Sequence, residues 1–154
     1  MKRDPEVDAL VMKYGKQYPN CAQTSFLATL ERNHIECDAP SFVRALTAFP
    51  GIGGTGETCG AVSGSLLAMG LALGPTDHTD KAQTGKCHVA SHQFCQAVKQ
   101  EFGSTDCGGN GTQRRDGIEV AMIGEQEHAA GAQHAHHLGE EPVHRRVVVR
   151  RLDV

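Results

Sequence analysis

Between Gly56 and Ala72 a small residue stands at every fourth position: Gly56, Gly60, Gly64, Ala68 and Ala72. In a helix this spacing places them along one face. That face lacks bulk, so another backbone can approach it closely. The surrounding segment, Glu57 to Leu73, is the most apolar of the chain and is apolar nearly all round. Such a helix is expected in the centre of a protein with its neighbours packed around it. It falls short of the roughly 18 apolar residues that mark a membrane span and is interrupted by glycines.

The segments on either side also read as helices. Asp4-Pro5 provides a capping residue and a natural first helical residue, followed by a stripe of Val7, Leu10, Val11, Tyr14 and Tyr18. Asn20 is placed to cap a second helix from Cys21 to about Arg32, with Ala22, Phe26, Leu27 and Leu30 inward. Pro40-Ser41 opens a short third helix through Phe42, Ala45, Leu46 and Phe49. After a glycine loop from Pro50 to Gly56 comes the apolar helix, with Glu57 expected in its first turn, where a carboxylate suits the helix dipole. Thr79-Asp80 then caps a last helix to about Phe102, with Ala90, Phe94, Ala97 and Val98 inward. No segment shows the alternation of a strand. The expected fold is all-α, a compact bundle of about five helices followed by an irregular C-terminal tail.

Composition changes at about residue 108. The 2 Tyr, 5 Phe and 6 Cys all precede it, and so does every Lys. Beyond it lie Arg114, Arg115, Arg145, Arg146, Arg150 and Arg151 together with His128, His134, His136, His137 and His144. Residues 1–107 therefore read as the folded cysteine domain and 108–154 as a divergent tail. That tail is either a flexible extension or a segment out of its ancestral reading frame. A formal net charge of −3 gives no reason to expect nucleic acid or an anionic membrane as a partner. The mixed charges of Met1 to Glu6 do not resemble a secretory leader, so the expected location is the cytoplasm.

Two nucleotide-binding patterns in the glycine loop fail on context. Gly51 to Gly56 satisfies GxGxxG, but no strand precedes it. Gly51 to Thr58 fits a phosphate loop except that Glu57 replaces the lysine that would neutralise phosphate.

In a cytosolic chain, 6 cysteines point to metal binding, catalysis or burial more than to structural disulfides. Asn20-Cys21-Ala22-Gln23, the stretch Gly51 to Gly64 (GIGGTGETCGAVSG), and Phe102-Gly103-Ser104-Thr105-Asp106-Cys107 follow one another in order. With these three motifs the chain resembles the C_GCAxxG_C_C family, described as redox-active, over roughly residues 5 to 107. The resemblance implies a site at Cys21, Cys59 and Cys107, and a further cysteine on a helix beyond Cys107. This chain has no Cys there. Cys87 or Cys95 would then have to substitute, or the final helix is lost.

Cys21 and Cys59 both fall at predicted helix starts, where free amides and the dipole favour a thiolate. Three converging thiols would suit iron–sulfur or zinc ligation, although a closed tetrahedral site takes four ligands. There is no CxxC. His88, His92 and Cys95 share one helix face and form a weaker candidate metal set. Cys37, flanked by Glu36 and Asp38, should have a raised pKa. Three functions are carried forward. The first is iron–sulfur electron transfer at Cys21, Cys59 and Cys107 with an unidentified redox partner, a homodimer supplying missing ligands. The second is thiol–disulfide exchange with Cys59 as the low-pKa thiol. The third is a non-catalytic module assembling through Gly60, Gly64 and Ala68.

Overall fold

A computed structural model of the chain describes residues 4–18, 20–107, 118–124 and 145–151. Five helices build an all-α bundle: α1 (Pro5–Gln17), α2 (Cys21–Arg32), α3 (Ala39–Ala45), α4 (Gly60–Leu73) and α5 (Lys81–Phe102). A 3-10 turn at Leu46–Ala48 and a single turn at Gly51–Gly54 join α3 to α4.

The helix starts follow their capping residues. The Asp4 side chain accepts from the Glu6 amide, Asn20 from the amides of Ala22 and Gln23, and Asp80 from that of Gln83. Asn20 does more than cap, because its side-chain amide donates to the carbonyls of Leu46 (3.1 Å) and Thr47 (3.3 Å). It thereby ties the start of α2 to the 3-10 turn. Asn20→Ala removes both sets of bonds and is expected to destabilise the protein by about 1–2 kcal/mol. A lower midpoint in urea, with an unchanged slope, is the measurement that checks it.

The centre is shared by two helices. In α2, Ala22, Gln23 and every residue from Ser25 to Leu30 are buried. In α4 the buried set includes Gly60, Gly64 and Ala68. The small-residue ridge of α4 faces α2: a Cβ on Gly64 would collide with the Ala22 carbonyl oxygen and lie 2.6 Å from Ser25 Oγ. The ridge is thus filled from within the chain, which corrects the expectation that Gly60, Gly64 and Ala68 serve as an assembly surface. Burial of Gln23 is made tolerable by bonds from its side-chain amide to Val43 O (2.8 Å) and Thr47 Oγ1 (3.1 Å).

Two apolar clusters flank this contact. Ala22, Phe26, Leu27, Leu30, Leu46 and Ala68 form one, between α2, α4 and the 3-10 turn. Ala61, Val62, Met69, Phe94 and Val98 form the other, between α4 and α5. Phe94 and Val98 are buried, and Ala90 and Ala97 pack beside them, as the helical spacing predicts. Arg32 at the end of α2 reaches back to Asp4 (3.6 Å) and Glu6 (3.4 Å) at the start of α1.

Two features differ from the sequence expectation. Helix α4 begins at Gly60, so Glu57 lies in an extended segment before it and not in its first turn. Farther on, Ile118–Gly124 (β1) and Arg145–Arg151 (β2) pair antiparallel, with Ile118 opposite Arg151 and Gly124 opposite Arg145. The run Val147-Val148-Val149 carries the β-branched residues that suit a strand. Its flanking arginine pairs read as solvated charge and hid the signal. The tail histidines lie outside the described residues.

Candidate functional site

The three motif cysteines come from three separate places in the chain. Cys21 is the first residue of α2, Cys59 caps the start of α4, and Cys107 follows the turn that leaves α5. That turn begins at Gly103, which closes α5 with φ 87° and donates its amide to Lys99 O (2.8 Å). Ser104 then braces it, accepting from the Asp106 amide at 2.9 Å.

A short antiparallel bridge between Thr58 and Asp106 brings two of the cysteines together. The Cys59 amide donates to Thr105 O (2.8 Å), and the Cys107 amide to Glu57 O (2.7 Å). Side chains alternate across such a ladder, so Cys59 and Cys107, each one residue beyond the bridged pair, fall on the same face. Cys107 is near enough to Cys59 to help raise its pKa. Cys21 lies close to the start of α4: its Sγ is 2.5 Å from where a Cβ on Gly60 would stand. Any other residue at position 60 would push this sulfur away. The charges of Cys59 and Cys107 both act on Cys21.

The glycine loop closes over the same site. Gly51 adopts φ 55°, and a Cβ there would lie 3.1 Å from the Gly56 amide nitrogen and 3.7 Å from Cys107 Cβ. Ile52 also has a positive φ of 47°, unusual for a β-branched residue. The loop is therefore a tight turn beside a thiol. Ile52 in this loop and Phe49 just before it are exposed.

A family model described as "Putative redox-active protein (C_GCAxxG_C_C)" matches residues 19–132, a span that holds Cys21, Cys59 and Cys107. The chain belongs to this family. No curated protein and no solved structure matches it. Helix α1 lies before the family match, which at its other end runs past Cys107.

The thiol electrostatics of this family member overturn one expectation. Both helix-start cysteines have raised pKa values. For Cys59 burial raises it most, and the amides of Ala61 and Val62 pull the other way without prevailing. For Cys21 burial again leads, followed by the charges of Cys59 and Cys107, against the amides of Ala22 and Cys21 itself. Packing around each sulfur removes more solvation than the helix terminus returns. The Cys37 pKa is raised as expected, but chiefly by burial, with Asp38 second.

These directions predict a pH dependence. A thiol whose pKa is raised on folding is held neutral by the fold, so the unfolded chain ionises first. The stabilisation is whole below the unfolded thiol value of about 8.5 and is lost as pH rises through the folded values. The urea midpoint should therefore fall between pH 7.5 and 10. The fall should be smaller in the Cys21→Ser/Cys59→Ser double variant, and an equal fall in both proteins would refute the assignment to these thiols.

The remaining candidates do not join the site. His88 and His92 are exposed on α5, while Cys95 packs against the Ala61–Phe94 cluster, the side on which Ala90 and Ala97 also lie. Cys95 thus stands where the histidine stripe meets the core, partly buried, while the two histidines are exposed. Cys87 is half-buried on α5. Among the described residues no three His, Cys, Asp or Glu side chains form a ready metal-holding group. The family's three thiols thus suit iron or zinc in kind. They fall short of a closed site in number and in arrangement. Among the described residues, no helix is long and apolar enough to cross a membrane. Sequence reading missed the contribution of Glu57, Thr58, Thr105 and Asp106, which act through their backbones. The available signal was the Ser104-Thr105-Asp106 turn, whose side chains bond their own backbone.

Proposed function

We propose that the chain is a dithiol–disulfide redox protein whose working couple is Cys59 and Cys107, exchanging electrons with a thiol or disulfide of a partner protein. The observation that supports this reading is the Thr58–Asp106 bridge, on one face of which Cys59 and Cys107 are diagonal neighbours, together with the influence of Cys107 on the Cys59 thiol. Cys107 is exposed and Cys59 is half-buried, so a partner meets Cys107 first.

The Cys107 thiolate attacks a partner disulfide, forming a mixed disulfide and releasing one partner sulfur, which takes up a proton. Cys59 then gives up its proton and attacks the Cys107 sulfur, and the second partner sulfur leaves as a thiol. Two thiols of this chain have become a disulfide, and the partner disulfide has become two thiols. In the reverse direction a partner thiolate attacks Cys107, and Cys59 departs as a thiolate. The amides of Ala61 and Val62 favour that charge.

Iron–sulfur electron transfer is the second reading, supported by the third thiol, Cys21, beside the couple. It needs at least one further ligand, which a second copy of the chain or a partner would have to provide. One experiment separates the two readings. Untagged protein is purified without oxygen and assayed for iron, acid-labile sulfide and visible absorption, then exposed to oxidised glutathione and mapped for disulfides. Colourless, metal-free protein that forms the Cys59–Cys107 disulfide is the expected result. Stoichiometric iron and sulfide, with Cys59 and Cys107 protected from oxidation, would replace the dithiol reading with the cluster.

A further inference from the structure

We propose that Cys21 is a third working sulfur, and that the disulfide migrates within the chain between Cys59–Cys107 and Cys21–Cys59, with Cys59 common to both. This rests on the dithiol reading and extends it to a residue which that couple leaves idle.

Three placements carry it. Cys59 has both other cysteines close to it: Cys107 lies on the facing segment of the ladder, and Cys21 Sγ lies against Gly60, the neighbour of Cys59 in sequence. Both approaches are fixed by backbone. The Cys59 and Cys107 amides are anchored to Thr105 O and Glu57 O, while α2 is locked to α4 at Gly64 and to the 3-10 turn through Asn20. Finally, Cys21 and Cys107 are exposed residues whereas Cys59 is half-buried.

The internal step balances without an outside reagent. The Cys21 thiolate attacks Cys59 Sγ in the Cys59–Cys107 disulfide. A Cys21–Cys59 bond forms, the Cys59–Cys107 bond breaks, and its electron pair leaves with the Cys107 sulfur. That sulfur takes up a proton equivalent to the one Cys21 released. The protein's oxidation level is unchanged, but the free thiol has moved from Cys21 to Cys107. Two protein partners, one a disulfide and the other a dithiol, could then be served at Cys107 and Cys21 in turn.

The test uses the full chain, reduced, then treated with oxidised glutathione, quenched in acid at intervals, alkylated and mapped by mass spectrometry. Wild type, Cys21→Ser and Cys107→Ser are compared, each checked for helical content by circular dichroism. Wild type is expected to yield both linked peptides, Cys59–Cys107 and Cys21–Cys59. Cys21→Ser should give Cys59–Cys107 alone and Cys107→Ser Cys21–Cys59 alone. If Cys107→Ser does not fold, the wild-type map decides. Wild type that forms Cys59–Cys107 while Cys21 stays fully alkylated at every interval overturns the migration and leaves the dithiol reading standing. Failure of both wild type and Cys21→Ser to form Cys59–Cys107 overturns the two together.

Discussion

Gly64→Ala is expected to destabilise the protein by about 3 kcal/mol or more, at or above the top of the usual range for overpacking. The added methyl would collide with the Ala22 carbonyl oxygen and lie 2.6 Å from Ser25 Oγ. A backbone carbonyl inside a helix cannot swing aside as the end of a long side chain can. Relief therefore requires α2 and α4 to separate, which disturbs Ala22, Phe26 and Ala68 in the adjoining cluster. Gly70→Ala is the matched control. Gly70 lies in the same helix, exposed, with nothing within 4 Å of the added Cβ. There the substitution should stabilise by about 0.5–1 kcal/mol, the intrinsic preference of a helix for alanine. Both changes share that intrinsic gain, so the difference between their urea midpoints isolates the helix contact. Equal midpoints would mean that α2 and α4 do not meet at Gly64.

The fold was legible where side chains announce it. Asp4, Asn20 and Asp80 cap the helices their positions suggested. The four-residue recurrence of small residues marked the face of closest approach, although not its partner. Sequence periodicity says that a face is narrow but not what narrows onto it. Helix α2 turned out as buried as α4 because Gln23, Ser25 and Thr29 are buried too. Their polarity hides that burial from a hydrophobic pattern, and bonds within the fold are what permit it. The site was legible in part. Its three cysteines follow from their motifs, but their juxtaposition depends on a backbone bridge between Thr58 and Asp106, which are 48 positions apart in sequence and carry no pairing signal. The thiol pKa values were misjudged for a related reason. The amides at a helix start can be read from sequence, whereas the packing that desolvates a sulfur cannot.

Cys59→Ser should abolish intramolecular disulfide formation at the site, because Cys59 is the sulfur common to both linkages. Serine is close in size, and although the Cys59 side chain packs against the Ala61–Phe94 cluster, this position also keeps its backbone bonds: the amide to Thr105 O, and the carbonyl accepting from Ser63 N at 3.0 Å. Helical content and the urea midpoint should therefore change little while the reactivity is lost. Oxidised glutathione would leave Cys21 and Cys107 as free thiols or as separate mixed disulfides with glutathione, and peptide mapping distinguishes these from a linked pair. Cys87→Ser and Cys95→Ser serve as controls. Cys95 packs against the Phe94 cluster and Cys87 is half-buried on α5, and neither is among the groups that shift the pKa of Cys21 or Cys59. Both variants should form the Cys59–Cys107 disulfide at the wild-type rate. If Cys59→Ser retained a linked pair at wild-type yield, Cys21 and Cys107 would be bonding directly. The half-buried sulfur would then be a packing residue, and the redox centre would belong to the two exposed ones.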